Sequence, residues 1–255
     1  MRFHAITALA GLFLVAACAD DTAPLTSTTA LVASQSDKSD KSGKSDAGVQ
    51  RYRVTLENLS TGQVFSPGVL ATHSKDVTVW SPGQRASEGI RLIAEDGDQT
   101  RAVADVRAMA GVFAVVDIDT PTNRVGGQAP LPNPQVFEIT ARGNANRLSL
   151  AVMTICTNDG FTGVDGVKLP GGFKPDVYEV GVWDAGTEQN NELFNQIVDP
   201  CGGAGPVPAP PDGNGRVPTS DVIRRHANIQ GVGDLSVALH GWQGPVARII
   251  IQRID

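Results

Sequence analysis

From residue 49 onward the chain repeatedly alternates apolar and polar positions with a period of two. Tyr52, Val54 and Leu56 share one face of the first such run, and Arg53, Thr55 and Glu57 the other. Similar runs lie at Asp76–Trp80, Val112–Ile118, Val136–Ala141, Arg147–Ile155 and Val177–Trp183. In the last, Val246, Arg248, Ile250, Gln252 and Ile254 stand opposite Ala247, Ile249, Ile251 and Arg253. Short β-branched runs of this period, punctuated by Ser66-Pro67-Gly68, Ser81-Pro82-Gly83 and Pro170-Gly171-Gly172, predict strands joined by turns. One region has a different rhythm. Between Ala86 and Ala110, Val103, Val106 and Met109/Ala110 recur at helical spacing, and Asp98 suits a helix start. Two short helices broken at Asp96-Gly97-Asp98 are expected there. With no βαβ alternation, the expected fold is all-β: an antiparallel β-sandwich with one or two short helices inserted.

The first residues read as an address. Arg2 precedes an uncharged apolar run, Ala5–Ala17, too short to span a bilayer comfortably and suited to a signal-peptide core. It ends in Leu14-Val15-Ala16-Ala17-Cys18, which resembles a bacterial lipobox, where the cysteine is lipidated and becomes the new amino terminus. The alternative is an ordinary signal peptide cut near Ala17. Ala19 after the cysteine is not an inner-membrane retention signal, so the expected location is the cell envelope, anchored by lipid at the outer membrane. Residues 20–48, rich in Ser, Thr, Asp and Lys with a Lys-Ser-Asp near-repeat, offer almost nothing to bury and read as a disordered tether. The expected organisation is therefore a signal peptide over 1–17, a lipidated Cys18 and tether over 18–48, and one domain over 49–255. The Gly/Pro-dense stretch Cys201–Pro218 reads as a long surface loop within that domain.

Composition narrows the chemistry. Of 255 residues 19% are charged, with a net charge of -6 and no basic cluster, which argues against a nucleic-acid partner. Three cysteines are too few for a disulfide-built scaffold or a four-cysteine zinc site. Neither a Gly-x-Ser-x-Gly elbow, a phosphate loop nor a His-Glu-x-x-His is present, and His73, His226 and His240 stand singly. The acidic turns say more. Thr157-Asn158-Asp159-Gly160-Phe161 and Asp184-Ala185-Gly186-Thr187-Glu188 each follow an expected strand. Brought to one rim, such carboxylates repel unless a hard cation lies among them, and calcium, bound by six to eight oxygens, suits acidic glycine-rich loops. The plain alternative is that both are turns and nothing more.

Six blocks then resemble the spondin amino-terminal domain. They are Tyr52–Pro67, Ala94–Asp98, Asn158–Gly166, Trp183–Glu192, Gly231–Leu235 and Pro245–Ile251, in the family's order across residues 50–254. The resemblance implies a C2-like β-sandwich with a calcium site of loop carboxylates at one edge. It maps that site onto Asp159, Asp184 and Glu188, the last standing where animal members carry an aspartate. By likeness to bacterial relatives with cysteines near the same loop, Cys156 is expected to pair with Cys201; two free thiols are the alternative. The function implied is a membrane-anchored, calcium-binding, non-enzymatic binding or adhesion module for an extracellular protein or glycan. A carboxylate-dependent hydrolase or a purely structural envelope lipoprotein are the other readings. Only Trp80, Trp183 and Trp242 are available as sugar-stacking tryptophans.

Overall fold

In a computed structural model the described residues are 48–198, 201 and 215–255. The signal-like run, Cys18, the tether and most of the Gly/Pro-dense stretch lie outside them.

Ten strands form two antiparallel sheets. β1 (Val49–Asn58), β4 (Gln135–Arg142), β7 (Asp176–Val180) and β10 (Ala247–Arg253) make a four-stranded sheet in the order β4-β1-β10-β7. β2 (Phe65–His73), β3 (Val112–Ile118), β5 (Arg147–Thr154), β6 (Gly160–Lys168), β8 (Val182–Asp184) and β9 (Arg224–Arg225) make a six-stranded sheet in the order β3-β2-β5-β6-β8-β9. The antiparallel sandwich expected from the alternation is present.

The two sheets differ in how they are covered. Tyr52, Val54 and Leu56 of β1, with Ile249 and Ile251 of β10, pack on Leu70, Leu148, Leu150 and Val152 of the other sheet. The opposite face of the four-stranded sheet meets solvent, so its strands alternate visibly. The six-stranded sheet is buried on both faces. Val69, Ala71, Ala151 and Met153 point away from β1 into a second core with Ile90, Ile93, Val103 and Val106 of the helices. Burial on both sides explains the nearly continuous apolar run Leu148–Met153.

The two helices fall where the spacing places them, at α1 (Glu88–Asp96) and α2 (Thr100–Ala108). The Ser87 hydroxyl accepts from Ile90 N, and Gly97, in the left-handed region at φ +67°, closes α1 by donating to Ile93 O. Asp98 accepts from Thr100 N at 2.8 Å as the second helix begins. A third, one-turn helix, α3 (Val237–His240), follows β9.

Three expectations change. Asp76–Trp80 is not a strand: Val77 N donates back to Ser74 O in a turn, and Trp80 is buried by its ring contacts instead of by a ladder. Its ring lies 5.0 Å from Phe161 and 5.7 Å from Trp183, centroid to centroid. Val177–Trp183 is two strands, β7 in one sheet and β8 in the other, with the chain crossing between layers at Gly181. Ser66-Pro67-Gly68 is no turn but an irregularity inside β2, where the register against β5 shifts. Pro67 has no N–H to give the ladder, and the Ser66 hydroxyl accepts from Met153 N at 2.9 Å instead. Gly68 is required there, because a Cβ would lie 2.2 Å from Ala151 O.

The ends of the sandwich are distinct. At one end β1 begins beside the carboxyl terminus, with Arg51 N donating to Asp255 and Ile254 N to Arg51 O. At the other end Asn58 bonds Gln63 O, and the Gln63 side chain both donates to Cys156 O and accepts from Cys156 N. The loop after β5 therefore sits at the end of the sandwich remote from Val49.

Candidate functional site: a carboxylate rim held by two arginines

The β5–β6 loop is fixed from both sides. Cys156 is joined to Cys201 by a disulfide. The Thr157 hydroxyl donates to Thr154 O at 2.6 Å and accepts from Gly160 N at 2.9 Å. β6 then pairs with β8, with Gly160 opposite Asp184, so Asp159 and Asp184 stand one ladder step apart. The Asp184–Glu188 turn wraps back over the first carboxylate. Asp159 Oδ2 accepts from Thr187 N at 2.7 Å and Glu188 N at 3.1 Å, while Ala185 N donates to Asp159 O. Gly186 makes that wrap possible: its φ is +73°, and a Cβ would sit 2.8 Å from Asp221 C.

Asn158 ties the site to its surroundings. It donates to Glu188 Oε1 at 3.0 Å and accepts from Glu192 N at 3.0 Å. Glu192, buried and at φ +59°, uses its carboxylate to accept from Gln230 N and Val232 N, holding the loop before α3. Asp159, Asp184 and Glu188 are thus brought to one rim, each almost wholly buried at 0%, 3% and 1% exposure.

Their oxygens are not equally engaged. Asp184 Oδ1 accepts from Gly186 N, and Oδ2 from Asn190, with Arg224 3.2 Å away. Asp159 Oδ1, Glu188 Oε2 and Asn190 Oδ1 are buried without a hydrogen-bond partner. Leaving such oxygens bare costs about 1–3 kcal/mol each, more when charged. Burial, reinforced by the charge of Asp184, pushes the Asp159 carboxyl up to about 6 against the two backbone bonds it accepts. Burial also pushes Glu188 up to about 8, outweighing the Asn158 bond and the Arg216 charge. Arg216 faces Glu188 Oε2 with its Nε at 3.5 Å, pairs with Asp96 at 2.6 Å, and donates to Glu95 O at 2.8 Å.

The unengaged oxygens are hard donors of the kind calcium takes. Asp159, Glu188 and Asn190 would hold it, with Asp184 beside them; the ion would supply positive charge that cancels the repulsion among buried carboxylates. The three carboxylates do not close on one another within 4.8 Å. Among the described residues the one group of three His, Cys, Asp or Glu that does is Cys156, Cys201 and His240. Two of those are in the disulfide and have no thiolate to offer a metal. The His240 Nδ1 accepts from Ser236 N, and His226 Nδ1 from Asn228 N, so each ring is tied into its own loop. Asp159, Asp184, Glu188, Cys156 and Cys201 were visible in the sequence. Asn158, Asn190, Arg216, Arg224 and Glu192 were not singled out, and only the Asn-Asp and Asn-Asn-Glu spellings beside the acidic turns hinted at them.

Residues 58–194, more than half of the chain, match the family model described as Spondin_N, and the chain belongs to that family. No curated protein matches it. Membership points to an extracellular module of the binding or adhesive type. Among the described residues no helix is long and apolar enough to cross a membrane.

Proposed function

We propose that this chain is a calcium-binding, non-enzymatic adhesion or binding module, displayed outside the cytoplasm on a lipid anchor at Cys18. The observation that carries the calcium reading is the pair of buried carboxylate oxygens on Asp159 and Glu188 that accept no hydrogen bond. A protein that buries two such acids beside a third, Asp184, gains from any ion that reaches them. The non-enzymatic reading is supported by the same burial. A cleft of about 550 Å³ lies between Leu59, Ser60, Asn228, Val237 and Trp242, and none of the three carboxylates lines it. The anchor rests on the lipobox resemblance of Leu14–Cys18, outside the described residues, and the ligand is an extracellular protein or glycan.

The test is thermal unfolding of the full-length chain in EDTA and then in rising calcium, with magnesium as the control. At one hundred times its dissociation constant, calcium adds about 2.7 kcal/mol. For a chain of this size that raises Tm by roughly 5–10 °C. The shift is expected to be calcium-specific and to disappear in Asp159→Asn. A Tm indifferent to millimolar calcium overturns the metal reading and leaves the family's fold.

A further inference from the structure

Resting on the calcium reading above, we infer that Arg216 is a built-in counter-cation of the rim, which competes with the metal and sets the calcium concentration at which the site fills. Among the described residues the guanidinium is the one positive group placed against Glu188. Its Nε stands 3.5 Å from Glu188 Oε2, yet neither atom makes a hydrogen bond. A positive group close by without a hydrogen bond is what a placeholder provides: the site already holds a cation's charge, and the Glu188 oxygen stays available. The rest of the guanidinium is well held, by Asp96 at 2.6 Å and by Glu95 O at 2.8 Å, both at the end of α1. Its fork is therefore anchored on the helix and only leans on the rim. The side chain is 22% exposed, so solvent screens it little. Arg224, which faces Asp184 from the other flank, is 48% exposed and bonded also to Asp221, and water weakens its hold on the site.

The consequence is a difference between two states. In the metal-free protein Arg216 places a positive group against Glu188 Oε2 and braces the end of α1 through Asp96 and Glu95 O, which stabilises the fold. When calcium joins Asp159 and Glu188, the same guanidinium faces a divalent cation across a few ångströms of poorly screened protein. Binding must then overcome that repulsion or swing the arginine away toward Asp96. Either way Arg216 weakens calcium binding while strengthening the empty fold, and the site fills at a higher calcium concentration than its oxygens alone would require.

The experiment measures metal-free Tm and calcium Kd, by calorimetric titration, for the full-length chain and for Arg216→Gln and Arg216→Lys. Arg216→Gln is expected to lower the metal-free Tm and to tighten calcium Kd by about tenfold, two effects of opposite sign. Arg216→Lys keeps the charge and is expected to stay within about threefold of the wild-type Kd. A structural role for the fork alone predicts the reverse, with Gln and Lys alike in weakening both quantities, and that result overturns the inference. If the wild type binds calcium and Arg216→Gln binds no more tightly, the calcium reading stands and the counter-cation fails. If neither binds, both fail. If only Arg216→Gln binds, the arginine blocks the site outright and the inference holds in its strongest form.

Discussion

Glu188 and Asp159 carry the rim's sensitivity to pH. A buried carboxyl whose folded value is raised binds its proton more tightly folded than unfolded, so its contribution to stability is complete at low pH and is lost as pH rises through the folded value. For Asp159 that window runs from its ordinary 3.8 to about 6, and for Glu188 from 4.5 to about 8. His226 and His240, whose values burial lowers, act in the opposite sense and below their ordinary 6.5. Comparison with single variants separates the two effects. In EDTA, the Tm of the wild type relative to Glu188→Gln is expected to fall steadily between pH 4.5 and 8, while excess calcium, which selects the ionised carboxylate, flattens that fall. A difference that does not vary with pH would show that Glu188 is already ionised in the empty fold. Asn158 governs a different quantity. Its side chain serves Glu188, Asn191 and Glu192 N at once. Asn158→Ala strands those buried groups and is expected to cost about 2–4 kcal/mol, read in denaturant titration as a lower midpoint.

Among the elements, β1, β4 and β10, with one wet face, were legible by alternation, and β3 and β5 of the doubly covered sheet by their apolar, β-branched runs. β1 and β10 alternate because solvent lies on one side of them, and α1 and α2 declare themselves by spacing and by Gly97. β2 and β6 escaped notice for a physical reason: a sheet covered on both faces has no polar side to alternate with. The Pro67 and Gly68 irregularity and the glycines of β6 also interrupt what pattern remains. The rim was half legible on the same grounds. Asp159 and Asp184 sit in turns that directly follow strands, whereas Arg216 comes from a distant Gly/Pro-rich stretch and meets Glu188 only through the fold. The β5–β6 connection supplies one prediction at this scale, and the β2–β5 pairing another. The Cys156–Cys201 bridge spans a separation of 45 residues. On the loop-entropy account it contributes about 4 kcal/mol, so Cys156→Ala/Cys201→Ala is expected to lower the unfolding free energy by about that much in chemical denaturation. Gly68→Ala, with its Cβ driven into Ala151 O, is expected to be worse still, since neither backbone can yield without parting β2 from β5. Its soluble expression is the measurement.

For the whole molecule, the prediction concerns attachment. Cys18→Ser is expected to move the protein from the membrane fraction to the soluble fraction and to abolish labelling by a fatty-acid probe, while leaving the Tm of the folded part unchanged. The arrangement of the ends gives the fold a mechanical character. β1 enters at the end remote from the acidic rim and runs down the middle of its sheet, paired along Val49–Leu56 with β4 and along Tyr52–Asn58 with β10. A pull applied between Val49 and the opposite end of the sandwich, where Asn58 lies, is directed along that strand. Such a load slides β1 past both antiparallel neighbours, so the hydrogen bonds on its two sides share the force and yield together instead of opening one by one. As a strand with a partner along each edge, β1 is braced on both sides against such a load.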